Sequence, residues 1–206
     1  MRFPKPWLRR KTCLSSNRSL PFPAVPHLRT ALLGNRDSFD AVATYPQNRW
    51  REISSFAPQI LAGTTADLQA FAAGIFDNAW DASSVDTAVF NLTTPGDAPL
   101  TRAQRDQLWR AFHLPVYEVL FDDMAGVLAS ECEVHEGWHI RNSQLRFDLA
   151  GGAIVIRKNG ASGSMLSTGL VAEGLDGVCP CGDEAPLLRG VRAPESKPVR
   201  VRAVVA

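Results

Sequence analysis

The chain of 206 residues carries 22 Lys+Arg against 21 Asp+Glu, a formal net charge of +1, with 45% hydrophobic and 21% charged residues. That composition fits a globular chain with one real core or two small ones. It excludes a membrane-spanning, repetitive or coiled-coil chain, since no stretch approaches ~18 uninterrupted apolar residues and no period or heptad recurs. Near-neutral charge also gives no global footprint for nucleic acid or anionic lipid.

The charge is unevenly spread. Eight basic residues, from Arg2 to Arg36, precede the first acid, Asp37, and the remaining 170 residues hold 14 basic and 21 acidic groups, a net of −7. Residues 1–36 also contain Pro4, Pro6, Pro21, Pro23 and Pro26, which deny the segment a continuous helix. They read as a basic, Pro-rich, disordered arm. An organelle-targeting segment has similar composition, but the prolines weaken the amphipathic helix it needs, and no apolar core of a secretory signal is present. A solvated tail on a cytoplasmic protein is the plainer reading.

Residues 37–115 read as a helical and α/β part. Phe39, Val42, Trp50, Ile53, Phe56, Ile60 and Leu61 are spaced through a segment broken by Pro46 and Pro58, which reads as short helical pieces. Thr64 and Thr65 offer an N-cap for a helix through about Trp80, whose Leu68, Phe71, Ala72, Ile75 and Phe76 recur on one face. Thr87 to Leu92 reads as a buried strand, residues 94–97 as a turn, and Thr101 with Gln104 as a capping box opening a helix through about Phe112. The order strand, turn, helix predicts α/β packing. Residues 116–193 read as β-rich, with short strands over 116–121, 127–130, 139–140, 145–149 and 153–157, and residues 194–206 as a tail.

The informative chemistry lies in the β-rich part. Cys132 and His135 form C-x-x-H, and Cys179 and Cys181 form C-P-C-G. Two short-spaced pairs of N/S ligands can close a tetrahedron around one zinc ion, each pair biting from one side. Gly137 and Gly182 supply turn geometry after each pair. The predicted site is therefore a structural zinc held by Cys132, His135, Cys179 and Cys181, with His139 as the rival to His135. Unrelated core thiols or a disulfide from Cys179 are the bland alternatives, and a signal-free chain favours reduced thiols. Cys13 has no partner nearby and reads as a free thiol. Four good ligands leave no open position for a catalytic metal.

These same residues carry a resemblance. The Thr101–Phe112 helix, Pro115-Val116-Tyr117-Glu118, the run from Glu131 to Ile140 (E-C-E-V-H-E-G-W-H-I), then residues 179–182 (C-P-C-G) and Pro186-Leu187-Leu188 resemble the middle of adenylate-forming ligases of the phenylacetate–CoA ligase type. The likeness covers residues 87 to 193, about half the chain. It implies an α/β ligase-like core with a β-rich metal-binding segment, and it supports the zinc reading.

The departures shape the functional expectation. The family's Tyr-Gly-x-[ST]-Glu, which stacks adenine and helps hold magnesium, is replaced by Leu120-Phe121-Asp122-Asp123-Met124. Its Thr-Gly-Asp, whose acid grips the ribose, is matched only by Thr168-Gly169-Leu170. No Ser/Thr/Gly-rich loop ending in Lys is present beyond the fragment Ala62-Gly63-Thr64-Thr65, and the swivelling C-terminal domain has no room after Ala206. The Gly- and Ser-rich stretch over residues 160–169 reads as a connector rather than a phosphate cradle. Asp122-Asp123 reads as a solvated hairpin turn. Trp109 and Phe112 are expected in the core, and Trp138 over the metal knuckle. No catalytic residue is assignable. The expectation is a non-catalytic accessory or partner-binding protein, with a protein partner and neither membrane nor nucleic acid bound. A ligase-like subunit working with a separate catalytic partner, and a zinc module whose arm binds nucleic acid, are the rivals.

Overall fold

The computed structural model describes residues 28–35, 42–158, 165–176 and 179–194. Residues 1–27 with Cys13, the first part of the Gly- and Ser-rich stretch, and the tail beyond Pro194 lie outside the described residues.

The first elements are β1 (Thr30–Leu33), β2 (Ala43–Tyr45), a 3-10 turn (Gln47–Glu52) running into the single helical turn α1 (Ile53–Phe56), and β3 (Ile60–Gly63). β1 lies inside the stretch read from composition as a disordered arm, so the folded part begins before Asp37. Its four residues are buried and pair in parallel with β2 and β3. A run that short does not outweigh the basic residues flanking it in any composition window.

Two helices follow the sequence pattern closely. α2 (Thr65–Phe76) is capped by Thr64, whose Oγ1 accepts from Asp67 N at 3.2 Å. It ends at Phe76, where Asp77 leaves the helical conformation. After β4 (Ala88–Thr93), α3 (Arg102–Phe112) opens on the expected capping box, with Gln104 N donating to Thr101 Oγ1 at 3.3 Å and Thr101 N to Gln104 Oε1 at 2.8 Å. α3 ends at His113, in the left-handed conformation at φ 55.

β5 (Val116–Asp122), β6 (Gly126–Glu131) and β7 (Trp138–Ile140) continue the large sheet, and β8 (Leu145–Ala150), β9 (Ala153–Lys158) and β10 (Met165–Val171) form a three-stranded antiparallel sheet. β10 incorporates residues 165–169 of the stretch expected to be a connector. Its Thr168 is buried, and Thr168 Oγ1 donates to Ile154 O at 3.0 Å. β11 (Gly174–Asp176) and β12 (Leu187–Arg189) return to the large sheet, whose nine strands run β11-β12-β7-β6-β5-β4-β3-β1-β2. β2, β1, β3, β4 and β5 are parallel, and from β5 outward the pairing is antiparallel. The turn between β5 and β6 is the expected solvated hairpin, with Asp122 Oδ1 accepting from Met124 N and Ala125 N.

Because side chains alternate along a strand, the sheet has two distinct faces. On one, Ala31, Leu33, Leu61, Val89 and Val116 pack under the helices against Trp50, Phe71, Leu108 and Phe112. On the same side, Leu120, Leu128 and Leu188 pack against Phe147, Ile154, Ile156 and Leu170 of the small sheet. Phe112 is thus a core residue as expected, whereas Trp109 is 54% exposed. It stands on the solvent side of α3, edge-on to His113 at 5.8 Å. Among the described residues no helix is long and apolar enough to cross a membrane.

Candidate metal centre

Three adjacent strands bring the ligands together. Cys132 follows the last residue of β6, His139 is the middle residue of β7, and Cys179 with Cys181 sits on the turn that leads into β12. β7 pairs with β6 on one side and β12 on the other, with His139 opposite both Ser130 and Leu187. The ligand atoms of Cys132, His139, Cys179 and Cys181 all lie within 4.8 Å of one another. Cys132 Sγ is 3.2 Å from Cys179 Sγ, and His139 Nε2 is 3.3 Å from Cys181 Sγ. All three thiols are free, and a disulfide would need a sulfur separation of about 2.05 Å.

The surroundings suit a cation. His139 Nδ1 lies 3.0 Å from Ala185 O. Donation to that carbonyl puts the ring proton on Nδ1 and leaves the Nε2 lone pair facing the sulfurs. Val134 N points at Cys132 Sγ at 3.5 Å and Asp183 N at Cys181 Sγ at 3.4 Å, so each pair of ligands carries a backbone donor able to stabilise a thiolate. Arg141 fastens the Cys179 turn to β6, donating to Ser130 Oγ at 2.7 Å and to Asp183 Oδ2 at 2.5 Å. The Asp183 carboxyl accordingly lies below its ordinary value, the backbone N–H of Ala185 and the Arg141 charge outweighing its partial burial. Burial, together with the neighbouring thiols, pushes the Cys132 thiol up to about 12, and Cys181 is raised for the same reason. A bound cation reverses that preference, because its charge favours thiolate.

Of the two histidines open to the sequence, His139 stands with the cysteines and His135 does not. β-strand alternation puts His139 and Leu187 on the cysteine side, while Trp138 turns to the other face and packs with Leu120 and Leu128. Trp138 therefore does not cover the metal knuckle as expected. His135 sits in the turn after Cys132 at φ 56, and its Nδ1 is 2.8 Å from Glu131 Oε1. Its ring stacks on Tyr117 with centroids 5.0 Å apart. The C-x-x-H spacing is satisfied by a turn, with His135 N donating to Cys132 O at 2.9 Å, and not by a shared ligand direction.

Gly137 makes the approach of β7 to β12 feasible. A Cβ there would lie 2.4 Å from Leu188 O. Gly137→Ala is expected to push β12 outward, to cost about 2 kcal/mol of stability and to loosen the cysteine cluster. A shift in the urea midpoint reads the first effect, and weaker retention of added zinc against a chelator reads the second.

A polar network that the sequence reading missed adjoins the centre. Glu118, 1% exposed on β5, accepts from Asn91 Nδ2 at 2.8 Å, Thr93 Oγ1 at 2.7 Å and Leu100 N at 2.5 Å. Glu131 accepts from Glu118 N at 2.9 Å and from Arg105 Nη1 at 3.1 Å. Arg105 also donates to the Val116 carbonyl and lies 3.9 Å from Glu118 Oε1. Burial raises the Glu118 carboxyl, only partly offset by its donors. For Glu131, burial is outweighed by the His135 hydrogen bond and the Arg105 charge, so its carboxyl is held below the ordinary value. The available signal was a single Glu inside the apolar run Val116-Tyr117-Glu118-Val119-Leu120, which only a paired acid can occupy.

Comparison with known proteins bears on the fold. No protein-family model and no curated protein sequence matches the chain. Among solved structures it is similar to 2-hydroxyisobutyryl-CoA ligase in complex with 2-HIB-AMP and CoA, with TM-score 0.57 and 11% identity over 78% of this chain and 44% of that one. It is similar to coronafacic acid ligase from Pectobacterium brasiliense, with TM-score 0.53 and 10% identity over 85% and 41%. A long-chain-fatty-acid-CoA ligase from Archaeoglobus fulgidus gives 0.53 and 12% over 82% and 45%. The chain spans less than half the length of each. At these identities the likeness is one of fold: a mixed α/β sheet of the kind found in adenylate-forming CoA ligases, of which this chain presents a part.

Proposed function

We propose that this chain is a zinc-stabilised, non-catalytic relative of adenylate-forming CoA ligases that serves as an accessory, partner-binding protein. The observation that carries the reading is what has become of the nucleotide positions. Leu170, at the place of the ribose-gripping acid, is 1% exposed and packs in the core between the two sheets. Two residues before it, the Thr168 carbonyl accepts from Gly96 N at 2.8 Å. Leu120, where the resemblance calls for the adenine-stacking tyrosine, is fully buried, and Met124, in place of the metal carboxylate, is 92% exposed at a hairpin tip. Three thiols and one imidazole in a closed set of four are the donors of a structural zinc, and Cys132, His139, Cys179 and Cys181 are the residues that would hold it. Zinc so held cross-links β6, β7 and the turn before β12.

Losing one charge-stabilising group typically costs ~10² to 10³ in rate, so losing several leaves adenylation near background. The pure chain is expected to give no carboxylic-acid-dependent ATP–pyrophosphate exchange across aliphatic and aromatic acids. Robust exchange by pure protein would overturn the reading.

A further inference from the structure

Among the described residues, β8 is the one long and regular strand edge without a neighbouring strand. The large sheet ends on β2 and β11, three residues each, and the small sheet ends on β8 and on β10, whose register shifts between Ser167 and Val171. β8 runs six residues, from Leu145 to Ala150, in unbroken register with β9. It has no proline, bulge or lysine to blunt the edge, and its two charges, Arg146 and Asp148, are of opposite sign. The hairpin fixes which backbone groups face outward. Ala150 pairs with Ala153 across Gly151 and Gly152, at φ 58 and 87, the two-residue turn that suits a twisted hairpin. Antiparallel bonding alternates, so Arg146, Asp148 and Ala150 bond to β9, while Leu145, Phe147 and Leu149 turn their backbone groups to the open edge. Leu145 N accordingly donates to Asn142 O at 3.2 Å.

We propose that this edge pairs with β8 of a second copy of the chain, antiparallel about a two-fold axis at Phe147. In that register the strand is complementary to itself. Phe147 N–H donates to Phe147 O of the second copy and Leu149 N–H to Leu145 O, each twice by symmetry. Leu145 and Leu149, half-buried against the core between the sheets, cover one another across the axis. On the outer face Arg146 stands opposite Asp148 of the second copy, at the positions where cross-strand side chains approach most closely. The neighbouring registers that keep the bonding pattern put Arg146 on Arg146 or Asp148 on Asp148, so charge selects the central one. Within one chain Asp148 is shared by Arg146 at 3.0 Å and Arg157 at 3.4 Å, two cations that lie opposite each other across the hairpin. The second copy brings Arg146, 71% exposed at its side chain, another carboxylate.

The test follows the full chain by sedimentation velocity over about 1 to 300 µM, because one strand pair makes a small, weak interface. The wild type is expected to pass from monomer to dimer across that range. Arg146→Asp and Asp148→Arg each set like charges opposite one another and should weaken the dimer about tenfold or more. The double variant carrying both substitutions restores the opposite pairs and should restore the dimer. It also keeps the ion pair within the strand, so it reads the interface even where a single variant is destabilised. An equimolar mixture of the two single variants should form a heterodimer at concentrations where neither dimerises alone. A wild type that stays monomeric, which would leave the edge to a strand of another protein, overturns the proposal. So does a dimer that both single variants retain, or a double variant that remains monomeric.

Discussion

Cys179→Ser is expected to abolish metal binding and to lower stability by about 4 kcal/mol or more, whereas His135→Ala leaves the metal in place. The first effect follows because a structural metal binds the folded arrangement and not the unfolded chain, so its binding free energy is folding free energy. Cys179 is 7% exposed and packs with Cys132 and Leu187, so no solvent-facing residue can take over its role. His139→Ala should behave like Cys179→Ser, because it removes the one imidazole in the cluster and leaves Ala185 O without its donor. His135→Ala loses a hydrogen bond to Glu131 and a stack on Tyr117 from a side chain that is 42% exposed, a cost of about 1 kcal/mol. Metal content of the purified variants by mass spectrometry, read beside their urea midpoints, separates the two histidines. A wild type free of metal with a Cys132–Cys179 disulfide, or a His135→Ala protein that loses its metal, would sink the assignment.

The two histidines also show how far the sequence could be read. Residue types and spacing announced the three cysteines, since paired soft ligands in separate turns have few other uses. Choosing the fourth ligand needed the sheet register. Only the pairing of His139 with Leu187 sets that ring on the sulfur side, and sequence separation from Cys132 carries no such information. α2 and α3 were legible for a local reason, as their caps and apolar spacing act within four residues. β1, β10, β11 and β12 were not, because each is defined by partners distant in sequence and is too short, or too Gly- and Ser-rich, to show a period of its own. Trp109 was misjudged for a related reason. Its spacing is helical, but the face it occupies lies beyond the reach of the sheet.

Removing the Arg105 guanidinium is expected to be the costliest change outside the metal cluster. Arg105→Ala leaves Glu118 and Glu131, 1% and 9% exposed at their side chains, without their shared cation. Stranding buried carboxylates in this way costs about 3 kcal/mol, the low end of the usual range because Arg105 is itself about a third exposed. The pH dependence has a definite sign. In the wild type, Glu131 lies below its ordinary value, so its contribution is present above the unfolded carboxyl value and fades as pH falls through the folded one. Glu118 is raised, so its contribution is greatest below the unfolded value and is lost as pH rises through the folded one. Without Arg105 both carboxyls move upward. The variant's deficit relative to wild type should then be full near neutral pH and shrink as both acids take up protons toward pH ~4. Paired urea titrations of the two proteins at matched pH measure that difference. A deficit that is constant with pH would mean that Arg105 acts through packing of its stem and its bond to the Val116 carbonyl, not through charge.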